Sequence, residues 1–359
     1  MIAEECVYST WTHFQLQRKV DEMTRHIGID LHRNCFTACT RAENGRGYVR
    51  EWRMEDLDRF VRSLRQTDEL AVETTGNTRL FCEKVAEHVA KVVVVNSAQF
   101  KLISHSVKKT DANDAELLSR YLSQGLLPEV RMKDKTHAQL ASLTQTRDKL
   151  VKLRTILKNK INNMLSAHGI NLQREALSSD RQLQSVLELP FAPMETIELK
   201  VLVGQIRSLN ESIHTLEDAI QKEGEKLTGH KNLTSIKGIG PTSASILLSV
   251  IGDVDDFADE GKLASYFGIV PRVHNSNETE RSGRITKRGS KLGRTALVQC
   301  SLVAKRYSRY LSDYYERIKS RRGGGKAIIA LARKFLGIIY QTLKNNWIFE
   351  DFPNFVLAK

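Results

Sequence analysis

Five cysteines occur in the 359 residues, and none of them, Cys6, Cys35, Cys39, Cys82 or Cys300, belongs to a C-x-x-C pair. Four sit among apolar or β-branched neighbours, the setting of reduced core thiols, so neither a disulfide framework nor a zinc site is expected. Long apolar runs are also missing. No stretch approaches the roughly 18 residues that a membrane span requires, and the first 24 residues lack the basic-then-apolar order of a signal peptide. A membrane partner is thereby excluded, and a cytoplasmic or nucleoid-associated protein is expected. Residues 1–25 carry no usable motif and read as an extension.

Acidic residues are outnumbered. There are 55 Lys and Arg against 42 Asp and Glu, a formal net charge of +13, which makes a polyanion, nucleic acid first, the partner to test. The length suffices for two or three domains, each with its own core.

From His26 the chain alternates short β-rich runs with helical patterns. His26–Leu31, Cys35–Thr40 and Tyr48–Trp52 read as strands, the last two separated by an Asn44-Gly45 turn. A helix at Glu55–Arg65, a strand at Glu69–Glu73, a helix at Asn77–His88 and a strand at Val92–Val95 follow. Three meandering strands and then β-α-β crossovers describe a ribonuclease-H-like layered α/β domain over residues 26–130. Between Thr136 and His168 strand signals vanish. Leu140, Leu143, Leu150, Leu157, Ile161 and Met164 fall at heptad spacing with Arg147 and Arg154 between them. Leu202, Ile206, Leu209, Ile213, Leu216 and Ile220 repeat the pattern. An antiparallel coiled-coil arm over 131–230 is expected, joined through an irregular stretch from Gly169 to Pro193 and serving dimerisation or reach. Residues 231–350 read as a mostly helical basic domain, and 351–359 as a tail.

Two predicted strands end on acids, Asp30 in Ile27-Gly28-Ile29-Asp30 and Glu73 in Leu70-Ala71-Val72-Glu73. Acids so placed lie at the carboxyl edge of the sheet, where open α/β sheets bind ligands. In Lys109-Thr110-Asp111-Ala112-Asn113-Asp114, Thr110 is a candidate N-cap, and the i, i+3 spacing puts Asp111 and Asp114 on one helical face. Taken singly, Asp111 reads as a helix-start acid favoured by the dipole and Asp114 as a surface residue. Four converging carboxylates need a cation to neutralise them, and hard oxygen donors select Mg2+ or Mn2+.

Farther along, Ile236-Lys237-Gly238-Ile239-Gly240-Pro241 resembles a helix-hairpin-helix turn, in which backbone N–H groups at a helix start grip a phosphate; Gly238 and Gly240 are the candidates. Arg281, Arg284, Lys287, Arg288, Lys291 and Arg294 fall in a run without an acid, interleaved with Gly283, Gly289 and Gly293, which are expected to let backbone approach phosphates. Lys109 and Arg272 join this nucleic-acid-binding set. Gly323-Gly324-Gly325-Lys326 lacks the spacing of a nucleotide-binding loop, and Ala327 replaces the required Ser or Thr. It reads as a flexible hinge.

Gly28-Ile29-Asp30, Val72-Glu73-Thr74-Thr75-Gly76, the segment around Asp111 and Asp114, Gly238-Ile239-Gly240-Pro241, Phe267-Gly268-Ile269-Val270-Pro271-Arg272 and Gly283-Arg284-Ile285-Thr286-Lys287-Arg288-Gly289 occur in one order. Together they resemble the DEDD transposases of insertion-sequence family one-hundred-ten, the bridge-RNA-guided recombinases, over His26 to about Trp347. The resemblance implies a RuvC-like domain, a coiled-coil insertion and a C-terminal transposase domain, with Asp30, Glu73, Asp111 and Asp114 binding magnesium. It further implies a serine that links covalently to DNA, five residues after the proline of the G-x-x-P-R segment, hence Ser276. Asn277 follows where many members have glycine, so Ser282 stands as a rival. Donor and target DNA, a noncoding bridge RNA, and a homo-oligomer, dimeric at least and tetrameric on two DNAs, are the implied partners.

Two other functions fit parts of the pattern. A metal-dependent nuclease or junction resolvase would use the four acids and a water nucleophile. A noncatalytic nucleic-acid binder would use only the hairpin turn and the basic run, yet gains nothing from gathering negative charge.

Overall fold

A computed structural model describes residues 24–42, 45, 47–96, 110–172, 177–276 and 279–356, without the side chains of 273–282. Cys6, Lys109 and Asn44 therefore lie outside the described residues, as does most of the expected extension. The chain forms two compact units, dividing between Met132 and Lys133.

The first unit is mixed α/β. Strands β1 (His26–Leu31), β2 (Cys35–Arg41) and β3 (Gly47–Arg53) form an antiparallel meander; β4 (Glu69–Glu73) and β5 (Lys91–Val95) then add in parallel, giving the order β3-β2-β1-β4-β5. All five expected strands are present. The expected helix at 55–65 is shorter: a 3-10 turn at Met54–Asp56 leads into α1 (Leu57–Val61). The crossover between β4 and β5 carries α2 (Thr78–Val85).

β1 is central and covered on both faces, and its alternation assigns them. Ile27, Ile29 and Leu31 face α1 and α2 in a core with Phe36, Phe60 and Phe81, whose rings meet edge-to-face at centroid distances of 5.1 and 5.3 Å. The opposite face holds Ala71, Val93 and Val95 under Leu118 and Leu122 of α3 (Asp111–Ser123). Gly28 belongs to that second face. A Cβ there would stand 2.1 Å from the Ala115 carbonyl and 2.4 Å from the Ser119 nitrogen, so α3 lies backbone-to-strand where any side chain would hold it off. Arg25 closes the lower edge, its guanidinium donating to the fully buried Asp68 at 2.6 and 2.7 Å.

The second unit is mostly helical. α4 (Lys135–Ala167) and α6 (Pro193–Gly224) lie antiparallel: Arg147 bonds Glu217, Arg154 donates to Asn210 at 2.8 Å, and Lys160 pairs with Glu198 at 2.9 Å. The stretch expected to be irregular between them holds a helix, α5 (Asp180–Leu187), started by a Ser179/Gln182 capping box. Its Leu183 and Val186 pack with Ile161, Leu165, Leu199, Val203 and Ile206.

A bundle follows, of α7 (His230–Ser235), α8 (Pro241–Ile251), α9 (Glu260–Phe267), α10 (Lys291–Tyr307), α11 (Arg309–Arg322) and α12 (Gly324–Lys344). α12 supplies Leu331, Phe335, Leu336, Ile338 and Ile339 to its core, all fully buried. The glycines at 323–325 are not a flexible hinge. Gly323 makes the turn with φ 78°, and Gly324 and Gly325 already belong to the first turn of α12. One feature is absent from the sequence expectation: an antiparallel hairpin of β6 (Pro271–Ser276) and β7 (Thr279–Ile285) interrupts the helices.

The Gly28 contact generates a prediction. Gly28→Ala forces α3 outward at an overpacking cost of about 1–3 kcal/mol, which amide exchange in Asp111–Ser123 should register as roughly 5- to 150-fold faster exchange than in the wild type.

Candidate active site

Asp30 is the penultimate residue of β1, on the face that α3 covers. The parallel register pairs Ile29 with Val72, so the next step brings Asp30 alongside Glu73 at the end of β4. That end is pinned by Thr78, whose hydroxyl donates to the Glu73 carbonyl and accepts from the Thr75 N–H, both at 2.7 Å. The acids on α3 arrive by capping. Thr110 Oγ1 accepts from the Asn113 N–H at 3.3 Å, starting the helix at Asp111 above the sheet edge. Arg41 of β2 bonds Glu116 at 3.2 Å and fastens the next turn down.

The donor oxygens of Asp30 and Asp111 and a ring nitrogen of His32 all lie within 4.8 Å of one another. His32 Nε2 is 3.3 Å from Asp30 Oδ2 and 3.2 Å from Asp111 Oδ2. Asp30 and Asp114 are buried, whereas Asp111 is exposed at the rim. Glu73 and Asp114 are not within the 4.8 Å group, although Asp114 is close enough for its charge to act on Asp30. His32 is the residue that the sequence reading passed over. The signal was an acid and a histidine at i, i+2 at a strand end, which puts both on one face.

Burial pushes the Asp30 carboxyl above the usual carboxylate range. His32 opposes the rise, and the like charges of Asp111 and Asp114 add to it. A buried acid raised by neighbouring acids is the electrostatic condition that a divalent cation relieves, and carboxylate oxygens suit a hard ion.

In the second unit Ser276 is the last residue of β6, paired with Thr279, and Ser282 sits in β7 opposite Val273. Both serines thus lie in strands that pair across the 277–278 connection. Arg281 pairs with His274 by backbone; its side chain lies outside the described residues. Arg272, Arg284, Lys287, Arg288 and Lys291 are exposed. Arg294 is not a free surface cation. Its guanidinium turns inward to the carbonyls of Phe267, Arg288 and Gly289 at 3.0–3.2 Å.

The interleaved glycines also divide by role. Gly289 passes 2.0 Å from the Tyr266 carbonyl measured from where a Cβ would be, and Gly293 meets Val250 and Phe267 in the same way. They serve close packing of the chain on itself rather than access for a phosphate. Among the described residues, Arg272 is the one near Gly283, at 3.6 Å from where a Cβ would be. In the α7–α8 turn, Gly238 (φ 110°) is pressed against Ala304 of α10, and Gly240 is exposed directly before Pro241 at the α8 N-terminus.

Two sequence families match the chain. One, described as a transposase of the DEDD IS110 type, matches residues 27–170; the other, the Transposase IS116/IS110/IS902 family, matches residues 230–316. The transposase for insertion sequence element IS1111A of Coxiella burnetii is 25% identical over 344 residues, covering 92% of each chain. The transposase for element IS1328 of Yersinia enterocolitica is 24% identical, over 90% of this chain and 98% of its own. The pilin gene-inverting protein of Moraxella lacunata is 26% identical, over 90% and 97%. A sheet edge lined with acids, joined to a basic helical unit, is thus the framework of a transposase, an enzyme acting on DNA. Both family matches and these relatives are consistent with a DEDD transposase of the IS110 family.

The raised Asp30 pKa fixes the sign of a pH effect. Below the ordinary carboxylate value, near 3.8, both folded and unfolded chains hold the proton; between that value and the raised one only the folded chain does. Stability of the metal-free protein should therefore fall as pH rises through that window and level off above it. Asp30→Asn should remove this fall and raise the metal-free melting temperature at neutral pH. With a divalent cation at about one hundred times its Kd the wild type should gain about 2.7 kcal/mol, and the variant far less, as read by thermal unfolding.

Proposed function

We propose that the chain cuts and rejoins DNA strands at the ends of an insertion sequence, with Asp30, Glu73, Asp111 and Asp114 holding magnesium or manganese and Ser276 forming a covalent link to DNA. The observation that carries the metal half is the gathering of Asp30 and Asp111 with His32 inside 4.8 Å at the carboxyl edge of the sheet. A divalent ion held there supplies Lewis-acid stabilisation to charge developing on a phosphodiester.

The protein's own residues divide the remaining work. In the joining step Ser276 Oγ bonds to phosphorus while the bridging P–O bond to the departing strand breaks. The serine proton leaves to solvent and the departing oxygen gains one. A strand hydroxyl attacking the serine phosphodiester reverses the step, so rejoining requires no outside energy source. Register supports Ser276 over Ser282: it sits at the tip of the hairpin beside the 277–278 connection, whereas Ser282 lies within β7. Arg272, Arg284, Lys287, Arg288 and Lys291 are exposed on and beside this hairpin and suit the phosphates of the same strand. Gly240, ahead of α8, offers backbone N–H groups for a second phosphate contact in a helix-hairpin-helix manner.

The acids and the serine belong to different units. A complete site in a homo-oligomer, dimeric and then tetrameric on donor and target DNA, brings them to one phosphate, with α4 and α6 as a coiled-coil arm between protomers. The reading includes a noncoding bridge RNA that chooses both DNAs by base pairing. The Moraxella relative's name, a pilin gene-inverting protein, accords with strand exchange rather than simple cutting.

The decisive experiment traps protein on DNA carrying an element end, then denatures the complex. Wild type and Ser282→Ala should retain an adduct. Ser276→Ala should lose it together with exchange, by roughly 10^3-fold or more, and Asp30→Asn should lose both. Strand cutting that persists in Ser276→Ala without any adduct would establish a water nucleophile and the resolvase reading instead.

A further inference from the structure

We propose that His32 is a direct ligand of the metal ion, placing one nitrogen donor among the carboxylates and tilting the site toward manganese over magnesium. The inference rests on the reading of Asp30 and Asp111 as metal ligands and adds a residue to it.

The geometry supports direct ligation. Two ligands at right angles about an ion with bonds of ~2.1 Å stand ~3 Å apart. His32 Nε2 stands 3.3 Å from Asp30 Oδ2 and 3.2 Å from Asp111 Oδ2. One ion beside the three atoms reaches all of them with little side-chain movement.

Placement is set by the backbone. The turn after β1 is held by the His32 N–H donating to the Cys35 carbonyl at 2.9 Å, and Asn77 Nδ2 donates to the carbonyls of His32 and Arg33 at 3.1 and 2.8 Å. This clamp fixes the turn from which the imidazole projects, so the ring is pre-organised toward the acids. Its side chain is 47% exposed, so solvent reaches it.

The donor type sets the preference. Magnesium favours an all-oxygen shell and keeps its waters, whereas imidazole suits transition metals, among which manganese also accepts carboxylates. A His/Asp/Asp set therefore serves manganese better than magnesium.

Mn2+ titrated into the full-length protein and followed by electron paramagnetic resonance tests this. Pulsed spectra of the bound ion should show coupling to one 14N nucleus, absent in His32→Ala. That variant should bind Mn2+ roughly tenfold or more weakly, while its Mg2+ affinity by calorimetry changes less. Bound Mn2+ without nitrogen coupling, or coupling that survives in His32→Ala, overturns the proposal and leaves the carboxylate site standing. Failure of the wild type to bind Mn2+ any better than Asp30→Asn overturns the metal reading and His32 with it. Absence of nitrogen coupling in the wild type overturns the ligation whether or not a variant folds, and the comparison with His32→Ala assigns a coupling that is present.

Discussion

The arrangement of the first unit turns on one steric allowance, the missing side chain at Gly28. Because β1 presents bare backbone there, α3 settles onto the strand with Ala115 and Ser119 in direct contact. That depth brings the start of α3, and with it Asp111, down to the level of Asp30. A helix held off by even a methyl group would leave the two carboxylates on separate levels. Charge repulsion between the acids works against this closeness, and packing of Leu118 and Leu122 on Ala71 and Val93 supplies the opposing force. The electrostatic cost stays concentrated on Asp30, the buried member of the pair.

Much of this was legible from residues alone, for a physical reason. Strand alternation and β-branched runs report burial directly, so the five strands and the edge position of Asp30 and Glu73 follow from local pattern. Thr110 is a cap because its side chain has a backbone N–H to satisfy, and nothing distant decides that. The helix at 180–187 escaped because it is short and its apolar positions, Leu183 and Val186, read as helical only once the long helices give them something to pack on. His32 escaped for a different reason. A histidine after a strand is unremarkable until the fold lays an acid from residue 111 beside it, a contact made across nearly eighty residues of chain.

The C-terminal unit shows how composition misleads when pairing is unseen. Arg294 counted as a cation for phosphate, yet its donors serve three carbonyls that shape the segment around Gly268 and Gly289. Gly268 and Gly289 are small because backbone from the other segment passes within bonding range of where a Cβ would sit. Of the remaining exposed cations, Arg272 and Arg284 lie on the hairpin, and Lys287, Arg288 and Lys291 lie on the segment between it and α10, which the Arg294 bonds brace.

The polar rungs between α4 and α6 carry a consequence for length. Sliding one helix by seven residues would set Arg154 against Val203 and Arg147 against Asn210; sliding it the other way would leave Arg147 facing Gly224. Either slip strands a guanidinium without its acid, so the apolar repeat, which alone would tolerate several alignments, is locked to one. The pair of helices is accordingly a ruler of fixed reach, ~50 Å for the 33 residues of α4, and whatever sits at its far end is held at a set distance from the bundle.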